Sequence, residues 1–168
     1  MDRHVLEPRE GEYVELLALG VRFMIDGEAT GGRFSLVEHP LPARALGAPL
    51  HTHRNEDEYS YVLEGRIGLQ LGEEVIEASA GELVFKPRGV AHAFWNASDE
   101  PARLLEIISP AGFENYFREM APLLAATERD EAALGAVVSR YELDIDFGTI
   151  PVLAQRHGLR LGETRAAD

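Results

Sequence analysis

Three histidines and one glutamate stand at spacings that suit a metal ion. His51 and His53 are two residues apart, Glu58 follows them closely, and His92 lies further along the chain. On a β-strand the residues at i and i+2 point to the same face, so both imidazoles of the pair can aim at one point. Imidazole and carboxylate ligands without a thiolate suit Fe, Mn, Ni, Co, Cu or Zn. The pattern therefore predicts one divalent metal ion held by His51, His53, Glu58 and His92.

A pocket for a small molecule is expected beside this ion. Four protein ligands on an octahedral ion leave two positions open for substrate, water or O2. If the strand that begins at Glu58 is regular, Ser60 and Val62 share its inward face, and their small side chains leave room next to the metal. Phe94 lies two residues after His92 and should share its inward face as an aromatic wall. We therefore predict a substrate pocket that includes Ser60, Val62 and Phe94.

The elements that must position these residues are short strands. Turn-rich segments such as Asp26–Gly32 separate stretches of alternating polar and apolar residues, and the pattern predicts roughly eight to ten strands between residues 12 and 109. Turns at this spacing indicate a closed antiparallel barrel or sandwich, because βαβ units would need helices between the strands. Residues 39–50 contain three prolines and one glycine, which predicts a loop leading into His51 rather than a central strand.

After Pro110 the apolar residues recur at helical spacing instead. A third short helix is predicted at Thr149–His157, with Pro151 in its first turn and Gly158 past its end. Such stripes are far more often packing faces than cofactor sites. The first two stripes comprise Phe113, Tyr116, Phe117 and Met120, then Leu134, Val137, Val138 and Tyr141.

The predicted organisation has three parts. Residues 1–11 are polar and form an N-terminal arm, residues 12–110 form the β-barrel, and residues 111–168 form a C-terminal helical extension. We expect the extension to pack on the barrel or on a partner subunit, and we expect a homodimer.

Composition excludes several classes of protein. The chain has 168 residues and no cysteine, so a disulfide framework and thiolate sites are excluded. The net charge of −13 argues against an extended surface for nucleic acid or for an anionic membrane, because phosphate groups would be repelled. The acidic start lacks the basic end and apolar run of a signal peptide, and no segment approaches a membrane span. We therefore expect a cytoplasmic protein with neither nucleic acid nor membrane as a partner.

Two motifs in register resemble those of the cupins. The first cupin motif, G(X)5HXH(X)3-4E(X)6G, is met by His51, His53, Glu58 and Gly65. Its opening glycine would fall at Ala45, a departure that bears on loop geometry and not on the ligands. The second motif, G(X)5PXG(X)2H(X)3N, is matched at every position. Its residues here are Gly81, Pro87, Gly89, His92 and Asn96.

The resemblance implies a mainly β fold, a cupin-type antiparallel β-barrel (jelly roll) with a C-terminal helical appendix. Among single-domain cupins the chain looks most like the bacterial flavonol (quercetin) dioxygenase type, through the phrases HTHRNEDEYSYVLEG and AGELVFKPRGVAHAFWN and the tail after PAGFENYF. That likeness implies a dioxygenase that opens a flavonol- or catechol-like ring with O2. In such an enzyme Glu58 would be the catalytic residue that takes the proton of the substrate hydroxyl.

Fold and ligands alone do not select a reaction, so other functions stay open. The runner-up enzymes are a decarboxylase, an isomerase or a hydrolase that uses the metal as a Lewis acid. A different class is a binding module that captures a small molecule without turnover. The role of Glu58 separates these alternatives, because it acts either as a plain ligand or, if burial raises its pKa, as a general base. No site role is expected for the remaining histidines, His4, His39 and His157.

Overall fold

Two antiparallel sheets form the body of the chain, which the computed structural model describes from residue 5 to residue 161. His4, the first residues of the predicted arm and the last seven residues of the predicted extension lie outside the described residues. The elements are β1 (Tyr13–Leu16), β2 (Leu19–Ile25), a 3-10 turn (Gly27–Thr30), β3 (Ser35–Leu41), β4 (Ala45–His53), β5 (Asp57–Glu64), β6 (Arg66–Leu71), β7 (Glu74–Ser79), β8 (Leu83–Lys86), β9 (His92–Asn96), β10 (Ala102–Ser109), α1 (Glu114–Ala125), α2 (Glu131–Arg140), β11 (Leu143–Asp146) and α3 (Thr149–His157).

The sheets face each other across one apolar core. The first has the strand order β1-β2-β3-β10-β5-β8 and the second β11-β4-β9-β6-β7, with antiparallel pairing throughout. Alternate residues of each strand point inward, so that Val37, Val62 and Ile67 are completely buried in the core between the sheets. The antiparallel barrel predicted from the turn spacing is confirmed, and so is a set of helices after it.

Strand β4 corrects the loop that was predicted for residues 39–50. Strand β3 continues to Leu41 and β4 already begins at Ala45, so that only residues 42–44 connect them. Pro49 is tolerated inside β4 because the pairing of β4 with β9 is irregular, shifting register between Leu46 and Ala48 and again between Ala48 and His51. At such bulges a residue is left out of the hydrogen-bond ladder, so the missing N–H of Pro49 costs little.

Strand β11 was not predicted, since only helices were expected in the C-terminal extension. It pairs with β4 in a register that sets Leu143 opposite His53 and Ile145 opposite His51. Four residues are too few for a period of two to be recognised between helical stripes. The consequence for the site is direct, because β11 joins the extension to the strand that carries two of the predicted metal ligands.

The three helices lie against the barrel. Helix α1 packs on β1 and β3, α2 packs on α1 and β11, and α3 packs on β4. The predicted stripe of α1 is buried at Tyr116, Phe117 and Met120, and α1 includes Pro122 and continues to Ala125. None of these helices, within residues 5–161, has the length and apolar character needed to cross a membrane. The homodimer stays a prediction.

Gly47 allows one close approach that shapes the interior. A Cβ atom built at this position would overlap the ring of Phe94, which lies on the neighbouring strand β9. Two residues earlier Ala45, which replaces the expected motif glycine, is a buried strand residue paired with Asn96. The position in this strand that requires glycine is therefore 47 and not 45.

We expect Gly47→Ala to lower the free energy of unfolding by about 1–3 kcal/mol, because the added methyl group must displace an aromatic ring in a packed interior. Urea unfolding monitored by circular dichroism measures the change. Gly135→Ala in α2 is the matched control, since its Cβ meets nothing within 4 Å. That variant should gain up to about 1 kcal/mol from helix propensity. Equal stability of Gly47→Ala and wild type would contradict the close-packing interpretation.

Candidate metal centre

Two paired strands of one sheet and one strand of the other bring the predicted ligands to one point. Strand β4 contributes His51 and His53, β5 contributes Glu58, and β9 contributes His92, which is paired directly with His51. One ligand atom from each of the four side chains lies within 4.8 Å of all the others, and all four residues are buried. The structure therefore assembles the whole predicted ligand set at one point.

Backbone carbonyls orient two of the imidazoles. Nδ1 of His51 lies 2.8 Å from the carbonyl oxygen of Pro49, and Nδ1 of His92 lies 3.1 Å from that of Val90. A carbonyl oxygen only accepts, so Nδ1 carries the proton in both rings and the lone pair of Nε2 is left for a metal. In each case the carbonyl belongs to the residue two positions before the histidine. The orientation of each ring is therefore set by residues next to it in the chain.

The third imidazole has a carboxylate beside it. Nδ1 of His53 lies 3.5 Å from Oε2 of Glu56, and Glu56 is buried. A solvated acid would be expected at Glu56 from its place in the polar stretch Arg54–Asp57, and its burial shows that this expectation is wrong. The polar bend between β4 and β5 returns the chain to the site and folds inward. Glu56 therefore faces the ring of His53.

Glu58 is surrounded by positive or polarisable groups. Its Oε2 lies 2.8 Å from Nζ of Lys86 and 3.1 Å from Nε2 of His92, while its Oε1 lies 3.2 Å from Nε2 of His53. Burial by itself raises the pKa of Glu58, but the charge of Lys86 and the nearby imidazoles outweigh burial and hold the pKa well below its usual range. Glu58 is consequently an ionised carboxylate, and the raised pKa that would favour a general base is not found.

These side chains fit a divalent metal ion. Nε2 of His53 is buried and has no hydrogen-bond partner among the described residues, as expected for an atom that points at an ion. Burial, reinforced by the neighbouring imidazoles, lowers the pKa of His51, and burial lowers that of His92. Neutral imidazoles and an ionised carboxylate are the forms that bind metal. The four residues can thus hold one ion, and nothing in the ligand set fixes which one.

A large cavity opens onto this cluster. It has a volume of about 520 Å³, and its wall includes His51, His53 and Glu58. Elsewhere the wall is mainly apolar and comes from both sheets and from the C-terminal extension. The ring of Phe113 meets that of His53 edge-on, with 4.3 Å between the centroids. The aromatic members of the wall, apart from the histidines, are Phe94, Phe113, Tyr116, Phe117 and Phe147.

The predicted pocket residues lie in different places. Phe94 lines the cavity. Ser60 and Val62 are both fully buried, and neither is among the residues that line it. Val62 packs in the core between the sheets, and the hydroxyl of Ser60 donates to Oε2 of Glu106 at 2.8 Å. Beyond Glu58 the inward face of β5 therefore points into the packed barrel.

Three buried polar residues of the cavity wall were not predicted at the site: His39, Lys86 and Glu106. Lys86 bridges two carboxylates, since its Nζ lies 3.0 Å from Oε2 of Glu106 as well as 2.8 Å from Glu58. A signal was present for Glu106, because it stands between Leu104 and Ile108 in the inward row of β10. A charged residue in such a row is rarely buried without a partner.

Burial shifts the titration of two of these groups. It raises the pKa of Glu106 to about 7, opposed by Lys86 and Ser60 and assisted by the negative charge of Glu58. It lowers the pKa of His39 to about 4, opposed mainly by the hydrogen bond between Nδ1 and the carbonyl of Gly20 at 3.0 Å. His39 is consequently neutral near pH 7, packed edge-on against Phe117.

Comparison with protein families supports the fold. Residues 38–108 match the sequence model of the cupin domain, a segment that contains both motifs. KdgF from a Halomonas species superposes with a TM-score of 0.58 at 15% identity, over 66% of this chain and 96% of that one. A predicted oxalate decarboxylase of Thermotoga maritima superposes with a TM-score of 0.58 at 20% identity, over 63% of this chain and 98% of that one. At these identities the likeness shows the cupin fold, and together with the domain match it supports the cupin superfamily.

Two curated relatives are similar in sequence. The tetracenomycin polyketide synthase protein TcmJ of Streptomyces glaucescens is 27% identical over 89 residues, which are 53% of this chain and 60% of the relative. Polyketide synthase CurC of Streptomyces cyaneus is 35% identical over 60 residues, which are 36% of this chain and 39% of the relative. The chain thus matches only about half of the length of these relatives.

His51→Ala and His92→Ala should each lower metal occupancy by more than about tenfold, because each removes one of four ligands. Elemental analysis of protein purified without chelators, with the ions counted per chain, measures the occupancy. His39→Ala is the matched control, a buried histidine of the same cavity that lies outside the ligand set. Equal metal content in all three variants would refute the ligand assignment.

His39 should make the metal-free protein less stable in mild acid. An unfolded histidine binds its proton near pH 6.5, whereas folded His39 does so only near pH 4. The stabilisation is therefore complete above pH 6.5 and is lost as the pH falls toward 4. Between pH 7.5 and pH 5, wild type should lose about 2 kcal/mol more unfolding free energy than His39→Asn, which retains a donor for Gly20. Urea unfolding in EDTA measures this, and equal losses in the two proteins would contradict it.

Proposed function

We propose that this chain, which has the cupin fold and a candidate metal site, is a dioxygenase that opens a flavonol- or catechol-like ring with O2. One observation carries the proposal: a cluster of three imidazoles and one carboxylate opens onto an apolar, aromatic cavity. Such a cavity suits a flat hydrophobic molecule, and its volume lies within the usual range for ligand pockets. The cluster supplies the polar end at which such a molecule would react.

The ligand set suits a redox-active ion. Imidazole and carboxylate donors accommodate Fe, Mn, Ni, Co and Cu, and also Zn, which has no redox chemistry. A bound redox-active ion would acidify a substrate hydroxyl and exchange electrons with O2. The residues of the chain then have to bind the ring, hold the proton and keep water out.

Glu58 is the residue to hold that proton. Lys86 keeps the Glu58 carboxylate ionised in the metal-free site, so Glu58 is free to accept. A carboxylate with a lowered pKa is a weak base, and it therefore takes a proton only from a hydroxyl group that has become strongly acidic at the site. Because Lys86 donates to Oε2, Oε1 is the oxygen of Glu58 with fewer close partners.

The aromatic wall binds and shields the ring. Phe94 comes from β9, while Phe113 and Phe117 come from the start of the C-terminal extension. Aromatic side chains pack edge-on or offset against a flat ligand, and they exclude water from the reacting bond. The names of the two Streptomyces relatives associate those proteins with polyketide synthesis. Polyketides carry enolisable ketones and phenols, which supports an enol or phenol as the ligand here.

A second candidate is a decarboxylase or isomerase that uses the ion as a Lewis acid. It is favoured by the pair of Lys86 and Glu106 in the cavity wall, a buried cation beside a carboxyl group whose pKa is about 7. Such a group can carry a proton at neutral pH without any redox step. Zinc-loaded protein would support this reaction and not the oxygenation. A small-molecule binder without turnover is the third outcome.

The proposal predicts O2 uptake. Protein freed of metal and reloaded with each of the redox-active ions in turn should consume O2 when quercetin is added, and an oxygen electrode measures the rate. Glu58→Gln should reduce the rate by about 100-fold or more, since it removes the proton acceptor. Glu38→Gln is the control, a buried carboxylate that is paired with Arg22 outside the cavity wall.

No uptake with any redox-active ion, with quercetin or with simpler catechols, would overturn the dioxygenase. Conversion of substrate by the zinc-loaded protein would then indicate the Lewis-acid enzyme, and binding without conversion would indicate the binding module. Full activity of Glu58→Gln would reduce Glu58 to a metal ligand without a proton-transfer role.

A further inference from the structure

Beside the metal ligands lies a second polar group, formed by Ser60, Lys86 and Glu106. Lys86 and Glu106 line the cavity, and Ser60 lies behind them, hydrogen-bonded to Glu106. All three side chains are buried, and they come from the adjacent strands β5, β8 and β10. The antiparallel register sets Glu106 opposite Ser60, and Lys86 opposite Glu58. The group is therefore held by the sheet itself, and Lys86 connects it to the metal centre through Glu58.

The two oxygens of Glu106 have different surroundings. Oε2 accepts from the hydroxyl of Ser60 at 2.8 Å and from Nζ of Lys86 at 3.0 Å. Oε1 is buried and has no hydrogen-bond partner among the described residues. A buried acceptor left without a partner costs about 1–3 kcal/mol, and native structures contain few of them. Glu106 belongs to the cavity wall, so a cavity ligand is a partner that could satisfy this oxygen.

We propose that Oε1 of Glu106 is a second binding point for the cavity ligand, where it accepts a hydrogen bond from a hydroxyl group that does not bind the metal. The ligand is accordingly an enol or phenol with at least two separate hydroxyl-bearing positions. This inference deepens the proposed function, on which the choice of ligand class rests. It concerns binding and positioning, and it requires no turnover.

The surroundings of Glu106 favour an acceptor role. Lys86 and Ser60 are both donors and occupy Oε2, so they fix the plane of the carboxyl group and leave Oε1 as the oxygen for a ligand. Above pH 7 the carboxyl group is mainly ionised, because its pKa is about 7. A hydrogen bond to an ionised acceptor in apolar surroundings is stronger than one between neutral groups. A site of this kind discriminates sharply against an analogue that lacks the hydroxyl group.

Glu106→Gln tests the acceptor with little change in shape. The two donors at Oε2 require an acceptor, so the amide oxygen of the new side chain must take the place of Oε2. The amide NH2 group then stands where Oε1 was, which converts the acceptor into a donor. Glu38→Gln is the matched control, since it neutralises another buried carboxylate, one that is paired with Arg22 and lies outside the cavity wall.

Two probes separate the second binding point from the metal. Quercetin and 3-hydroxyflavone share the hydroxyl and carbonyl pair that can bind an ion, but only quercetin carries further hydroxyl groups. Titration calorimetry under argon at pH 8, with zinc-loaded protein, measures both affinities without oxygen chemistry. Wild type and Glu38→Gln should bind quercetin about tenfold more tightly than 3-hydroxyflavone, and Glu106→Gln should lose this preference while binding 3-hydroxyflavone as wild type does.

The inference is overturned if wild type shows no preference for quercetin, or if Glu106→Gln retains the preference. Neither result depends on O2 uptake, so failure of the dioxygenase and failure of the binding point are distinguishable. If Glu106→Gln does not unfold cooperatively while Glu38→Gln does, a crystal structure of zinc-loaded wild type with quercetin decides. A ligand oxygen within about 3.5 Å of Oε1 supports the inference, and its absence there overturns it.

Discussion

The site depends on one buried cation. Lys86 is 2% exposed and lies between the carboxylates of Glu58 and Glu106, at 2.8 Å and 3.0 Å. An isolated charge in a protein interior costs several kcal/mol, and two buried carboxylates beside three imidazoles could not remain ionised without a counter-charge. Lys86 supplies that charge. It keeps Glu58 in the form that binds metal, whereas at Glu106 burial outweighs the charge of Lys86 and raises the pKa to about 7. The two carboxyl groups thereby acquire different chemical properties within one cavity.

Irregular strand geometry makes this arrangement possible. The bulges of β4 allow Pro49 to stand inside a central strand, and its carbonyl then orients the ring of His51. The glycine at position 47 allows Phe94 to approach the same strand closely. Beyond the ligands, β11 extends the sheet and contributes Leu143 and Ile145 to the cavity wall. The placement of His51, His53 and His92 and part of the cavity wall thus depend on the pairing of β4 with β9 and β11, while Glu58 comes from β5 in the other sheet.

The cluster of candidate metal ligands could be predicted from the sequence because a metal site fixes residue types and spacings locally. His51 and His53 share a face by strand period alone, and the barrel follows from the spacing of turns. Bulges leave no such pattern, so the three prolines within residues 39–50 predicted a loop. Lys86 and Glu106 were missed for another reason. Their meeting depends on the register of β8, β5 and β10, and the pairing of strands distant in sequence is not visible in any local window.

The parts of the cavity come from separate stretches of the chain. All four metal ligands lie between residues 51 and 92, whereas much of the apolar wall comes from residues 113–150. Substitutions in the second stretch can therefore reshape the space offered to a ligand while the ligating atoms stay in place. Selection on metal chemistry and selection on ligand shape act on different segments of one small barrel. Substitutions in the second segment alone can therefore change which ligand fits the cavity while all four candidate metal ligands are kept.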